Sequence, residues 1–308
     1  MIFRQITACL FILFTGLFGG SVYGQKTEPI SIPAPGFDYA ARREYFSGLF
    51  SAGFTTFRDF ATSPLFYSGP GLLLSTSAHE KSARHEQQLD LRFGFYTAFD
   101  GAPESSVLSG TSISTLGNVH VYYHYLFALP KISSEAWNFK VGPSLIITQN
   151  FRINPSLFNN SLGLENITNL MVSGTATYNI SRKQARTLNL YLFKIHLPKR
   201  TRELRMQLNT GVLNFNFRPG YAYSYNSEII GTETSPLTWV FANYRWSMNG
   251  WRLQTHMEWL WYLHNGNAFS LSYQWDALHA PGRYEAFQMA SHNVGFSYYF
   301  ERKIRRLE

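Results

Sequence analysis

The stretch from Trp251 to Trp275 limits what this chain can fold into more than any other. It reads WRLQTHMEWLWYL, then HNGN, then AFSLSYQW. In the first limb Trp251, Leu253, Thr255, Met257, Trp259, Trp261 and Leu263 alternate with Arg252, Gln254, His256, Glu258, Leu260, Tyr262 and His264. In the second, Phe269, Leu271, Tyr273 and Trp275 alternate with Ser270, Ser272, Gln274 and Asp276. A period of two places each parity on one face of a strand. Asn265-Gly266 supplies the positive-φ residues of a tight hairpin turn. Three Trp on one face of one limb is a heavy load for a soluble sandwich. The pattern fits a strand whose aromatic face meets lipid and whose polar face lines a barrel lumen.

The N-terminus reads as a targeting segment. Arg4 is a positive start, Ala8 to Phe18 a short apolar run, and Val22 and Gly24 are small residues ahead of Gln25, so cleavage after Gly24 is expected. The run is shorter than the ~20 residues of a spanning helix. Cleavage removes Cys9, the one cysteine, leaving neither disulfides nor thiolate ligands. The remaining chain has no apolar run long enough to span as a helix. Aromatics are 17% and charged residues only 15%, against about 25% charged in a soluble domain. An exported, aromatic-rich chain without helical spans has the composition of an outer-membrane barrel, in which lipid-facing and lumen-facing residues average out along each strand.

The expected architecture is all-β: a transmembrane antiparallel up-and-down β-barrel of about 12 strands, preceded by a cleaved signal peptide. The divisions are 1–24 signal peptide, 25–43 periplasmic lead-in, 44–300 barrel and 301–308 basic periplasmic tail. Strands are read at 44–57, 65–77, 87–99, 118–129, 137–151, 169–180, 186–197, 204–217, 236–247, the two limbs of the opening hairpin, and 292–300. Residues 78–85 read as a charged turn. Long loops are read at 100–117, 152–168 and 277–291. Asn249-Gly250 reads as the turn into the opening hairpin. Gly69-Pro70-Gly71 implies a bulge or corner. Parity switches at Leu192–Phe193 and near Gly211 imply bulges. The stretch 218–235 is ambiguous: Tyr221, Tyr223 and Tyr225 alternate like a strand or an aromatic girdle, but Arg218-Pro219-Gly220 is a turn signal.

Several short motifs are similar to those of a family of uncharacterised outer-membrane barrels from gut-type anaerobic Gram-negative bacteria. These are Ser63-Pro64-Leu65-Phe66-Tyr67-Ser68-Gly69-Pro70, the later Gly142-Pro143, and Phe217-Arg218-Pro219-Gly220-Tyr221-Ala222-Tyr223-Ser224-Tyr225. The last departs from that family's spacing by one extra residue. The resemblance spans most of the mature chain. It implies the barrel fold and an outer-membrane location, and no activity.

The residues expected to line the lumen are Asp90, Arg92, His120, Tyr122, His124, Lys140, Arg205, Arg252, His256, Glu258 and His264. Asp90 and Arg92 are expected to pair with Lys140 or Arg205. His256-x-Glu258 with His264 has the makings of a base oriented by a carboxylate, or of a metal site. The plainer reading is polar filling of a wet lumen. His120 and His124 are about 13 Å apart along a strand, too far to share a metal. No Gly-x-Ser-x-Gly motif occurs, so no catalytic residue, metal or cofactor is assigned. The basic tail is expected to be a solvated end, and the alternative is contact with lipid phosphates or a periplasmic partner.

Three functions stay open: a small pore or solute-binding barrel, a non-transporting structural or accessory subunit of an envelope complex, and an outer-membrane lipid or lipopolysaccharide hydrolase. The expected partners are outer-membrane lipids and lipopolysaccharide, a small polar solute and an envelope protein. Nucleic acid is not among them.

Overall fold

In a computed structural model, the described residues are 43–100, 112–160, 162–182, 184–190, 193–197, 199–219, 236–281 and 286–302. The expected signal peptide, the lead-in up to 42, Tyr221, Tyr223 and Tyr225, and the tail beyond Arg302 lie outside them.

The strands are β1 (Arg43–Asp59), β2 (Tyr67–Lys81), β3 (His85–Asp100), β4 (Ile113–Ala128), β5 (Trp137–Ile153), β6 (Leu162–Asn179), β7 (Arg186–Leu190), β8 (Phe193–Leu197), β9 (Arg202–Pro219), β10 (Tyr244–Ser247), β11 (Trp251–Tyr262), β12 (Ala268–Pro281) and β13 (Ala286–Arg302). One helix, α1 (Pro236–Asn243), precedes β10. Antiparallel pairing runs β9-β11-β12-β13-β1-β2-β3-β4-β5-β6 and returns from β6 to β9. The ring closes on ten strands, so it leaves no barrel edge exposed.

The count corrects the expected twelve, and two segments account for the difference. Residues 186–190 and 193–197 pair with each other as a separate hairpin, Leu190 opposite Phe193, and the bulge expected between Leu192 and Phe193 falls partly outside the described residues. Residues 236–247 are α1 and the four-residue β10. β10 pairs with β9, Tyr244 opposite Pro219, in the same register that later sets Leu253 opposite Thr210. It therefore extends β11 along β9, and Asn249-Gly250 is a break in one edge rather than a hairpin turn. The Asn216 and Asn214 side-chain amides donate to the Asn249 and Gly250 carbonyls at 2.8 and 2.7 Å, occupying backbone acceptors at the break. With ten strands, β9 ends at Pro219 on the end of the barrel away from Arg43 and Arg302, the distal end.

The strands also run longer than expected, mostly 14 to 18 residues. β2 continues to Lys81, β4 starts at Ile113 and β6 at Leu162, and β12 and β13 absorb most of 277–291. Several polar residues in those stretches, Glu165 and Ser291 among them, face inward, which mimics loop composition. The bulge expected near Gly211 is present: β9 shifts register against β6 where Met171 pairs with Gly211 and Leu170 with Leu213.

Gly69-Pro70-Gly71 makes no bulge. The β2–β3 register is the same on both sides of it, and Gly69 and Pro70 lack β3 partners. Gly142-Pro143 interrupts the β4–β5 ladder in the same way. Proline has no N–H for the ladder, and a Cβ on Gly69 would meet the Thr97 carbonyl oxygen at 1.9 Å. Gly69→Ala is expected to cost about 1–3 kcal/mol by forcing those strands apart. A lowered denaturant midpoint would show it, and an unchanged one would mean the strands give way there.

The two parities sort cleanly. Phe50, Phe54, Leu74, Phe93, Phe95, Phe127, Leu208, Leu271 and Phe296 are exposed on the outer wall. Their sequence neighbours Ser51, Thr55, Arg92, Gln207, Ser270 and Ser297 are buried inside. A water-soluble fold would bury the first set and expose the second. No helix among the described residues is long and apolar enough to cross a membrane.

Candidate functional site

Among the described residues, chemistry-bearing side chains converge most densely in the barrel interior. Among the described residues, six buried cations (Arg92, Lys140, Arg152, Arg205, Arg218 and Arg252) face seven buried carboxylates (Asp59, Glu86, Asp90, Glu165, Glu203, Glu258 and Asp276). They form three tiers.

At the distal end Asp59 joins two strands to a third. Arg152 Nη2 from β5 reaches its Oδ2 at 2.5 Å, and Arg218 Nη2 from β9 reaches its Oδ1 at 2.7 Å. Arg152 also holds Glu165 at 2.7 Å. Both guanidiniums lie 5.8 Å from the Phe287 ring centre, and Phe57 stacks on Tyr67 beside them. Apolar side chains, including Leu116, Ile167 and Leu278, complete this tier.

In the middle tier Arg252 binds both oxygens of Asp276 at 3.0 and 2.5 Å and donates to Thr148 and Asn169 of β5 and β6. Arg92 holds its neighbour Asp90 and donates across the lumen to Gln274 at 2.6 Å. Asp90 also accepts from Ser75 and Ser77. The expected partnership of Asp90 and Arg92 with Lys140 or Arg205 is not formed. Those two cations take Glu86 instead, at 3.2 and 2.5 Å.

Glu86 anchors the tier nearest the termini, with His124 Nε2 at 3.7 Å. Glu258 accepts hydrogen bonds from Tyr299 and Ser270, and Glu203 accepts one from Tyr262. Gln207 donates to the Tyr122 hydroxyl at 2.5 Å.

Ten of the eleven expected lumen residues face inward on their strands. His120 bonds Thr148 at 2.8 Å, and His124 bonds Tyr122 at 3.1 Å. His256 is half-buried on the inner parity of β11. His264 is the exception. It lies beyond the end of β11, exposed in the turn, where the strand's alternation no longer sets side-chain direction. It cannot join His256 and Glu258. Among the described residues no group of three or more His, Cys, Asp and Glu is arranged to hold a metal.

The distal tier was missed from sequence. Asp59 and Arg152 read as loop residues and Arg218 as part of a turn. The available signal was parity: each continues the inward parity of its strand by one or two steps. A second unpredicted arrangement sits in the β2–β3 turn. Ser82 Oγ is 3.0 Å from His85 Nδ1, and His85 Nε2 is 2.7 Å from Glu80. The serine hydroxyl also donates to the His85 carbonyl and accepts from the His85 N–H, both at 3.0 Å. It is tied into its own turn, so the geometry is that of a hairpin clasp.

Two cavities border this interior. One of about 30 Å³ opens among Arg43, Lys81, Glu86, Lys140, Glu203 and Tyr262 near the termini. One of about 10 Å³ lies between Arg92, His120, Asp276 and Asn293. Each is on the scale of one or two water molecules.

No protein-family model matches the chain, and no curated protein matches it in sequence. Among solved structures it is similar to the outer membrane protease OmpT of Escherichia coli, at 7% identity over 89% of this chain and 100% of that one, with a TM-score of 0.48. The translocator domain of the autotransporter NalP from Neisseria meningitidis follows at 8% identity over 84% and 88%, with a TM-score of 0.34. The Ralstonia pickettii toluene transporter TbuX gives 9% over 87% and 92%, with a TM-score of 0.29. At such scores the likeness is one of barrel shape and says nothing of a site.

Proposed function

We propose that this chain is an outer-membrane barrel with a filled lumen, serving as a non-conducting structural or accessory subunit of the cell envelope, in the resembled family of gut-type barrels. The observation that carries this reading is the set of bonds spanning the lumen. Arg205 to Glu86, Arg92 to Gln274, Arg152 to Asp59 and Arg218 to Asp59 each join strands four apart around a ring of ten. Near-opposite walls are thereby tied at both ends and in the middle. A porin interior is water-filled, and its charges are free to meet permeating ions. Here most of the charges are spent on one another.

Purified protein in planar bilayers is expected to give no conductance above leak at any voltage the bilayer withstands. Steady open-channel currents would overturn the reading. The solute-binding alternative keeps one foothold, the 30 Å³ cleft near the termini, with Lys81 and Glu203 in its wall. A hydrolase has less support. His124 is fully buried and engaged by Tyr122 and Glu86.

A further inference from the structure

The outer wall carries almost no charge. Following the outward parity of all ten barrel strands, charged side chains occur at the rim near the termini, at Glu44, Glu80, Arg202 and Arg302. Away from that rim the outward positions of these ten strands hold a single one among the described residues, Arg58, at the distal end of β1; the exposed Arg245 belongs to the short β10, opposite Arg218.

Its placement is specific. Fourteen residues separate Glu44 from Arg58, about 46 Å of strand and about 35 Å along the axis at the usual tilt. The hydrocarbon layer is about 30 Å thick. The two charges therefore sit at opposite edges of that layer, with only uncharged side chains between them. Arg58 is also held rigid. Its guanidinium carbon lies 3.8 Å from the Phe60 ring centre and 4.0 Å from that of Phe66, and its Nη2 donates to Gln288 at 2.9 Å. Gln288 continues to His279 at 3.1 Å, and Trp251 stacks on His279. Strand register sets Arg58, Gln288, His279 and Trp251 side by side across four strands, forming one polar and aromatic row above the greasy wall. No carboxylate pairs with Arg58 among the described residues. A guanidinium clamped between two rings keeps its charge and loses its freedom, so an anion that meets it pays little ordering entropy.

We infer that Arg58 and the Gln288–His279–Trp251 row form a docking site for the phosphate of a glycolipid in the leaflet around the distal end. This rests on the membrane reading above. It commits to a lipid phosphate because the site faces sideways from the wall, at the depth where headgroups lie, and not into the lumen or a surface cleft.

Native mass spectrometry of the full chain in nonionic detergent tests it with diphosphorylated lipid A, the same lipid after phosphatase treatment, and inorganic phosphate. The wild type is expected to prefer the phosphorylated lipid by about tenfold, the scale of one charge-assisted hydrogen bond. Arg58→Ala loses that preference. Arg245→Ala, which removes an exposed cation at the same end, keeps it. Equal binding of the two lipids by the wild type overturns the inference without needing any variant. So does a folded Arg58→Ala chain that retains the preference, or inorganic phosphate competing as well as the lipid. A chain that never inserts into vesicles would sink the membrane reading itself. A chain that inserts without preference sinks this site alone.

Discussion

Asp59→Ala is expected to lower the unfolding free energy by about 3–5 kcal/mol, the cost of breaking a buried ion pair from one side. Asp59 is 1% exposed and holds Arg152 and Arg218 from two other strands. Without it two guanidiniums remain in the distal tier with one less carboxylate between them, and Arg152 keeps Glu165. Asp59 also accepts from the Ala61 N–H at 3.1 Å, so the start of the β1–β2 loop loosens as well. The readout is the denaturant midpoint of detergent-solubilised protein, with Lys131→Ala in an exposed turn as the control, expected within about 0.5 kcal/mol. A loss below about 1 kcal/mol for Asp59→Ala would mean that both arginines find water, and the distal end would not be sealed.

Phe50→Arg is expected to cost about 2–4 kcal/mol in a bilayer, because a guanidinium would then sit near mid-depth among acyl chains. The Phe50 ring is 55% exposed and sits between Leu74 and Phe296 in register, all on the outer wall. The same change on a water-facing surface would fall within about 0.5 kcal/mol. Phe46→Arg, four residues nearer the rim, is expected to cost about 0–1 kcal/mol. Equal small effects at both positions would place water against this wall.

Much of the architecture was legible because a period-two pattern survives without any knowledge of strand order. Trp259, Phe93 and Val121 fell on the outer face, and Arg252, Asp90 and His124 on the inner. The Gly211 parity change marked a real bulge. The errors share a physical cause. Alternation reports a strand but not its neighbours, so 186–197 looked like a wall strand although its described residues pair within their own hairpin. A short apolar run such as Pro236–Asn243 has no period that separates helix from strand. Polar inward residues near strand ends, Asp59 and Arg152 among them, read as loop because a sealed lumen and a solvated loop favour similar side chains. Pairings were the least legible part. Arg205 meets Glu86 across 119 residues of sequence, and only the closure of the ring brings them together.

Nitroxide labels placed one at a time at Leu89, Leu91, Phe93 and Phe95 of bilayer-reconstituted protein report the medium around the outer face, and one at Ser270 reports the interior. Oxygen is expected to relax the four outer labels more than a water-soluble nickel complex does, while the Ser270 label is immobile and closed to both. Outer labels reached better by nickel than by oxygen, or a mobile nickel-accessible label at Ser270, would contradict a lipid-facing wall around a filled core.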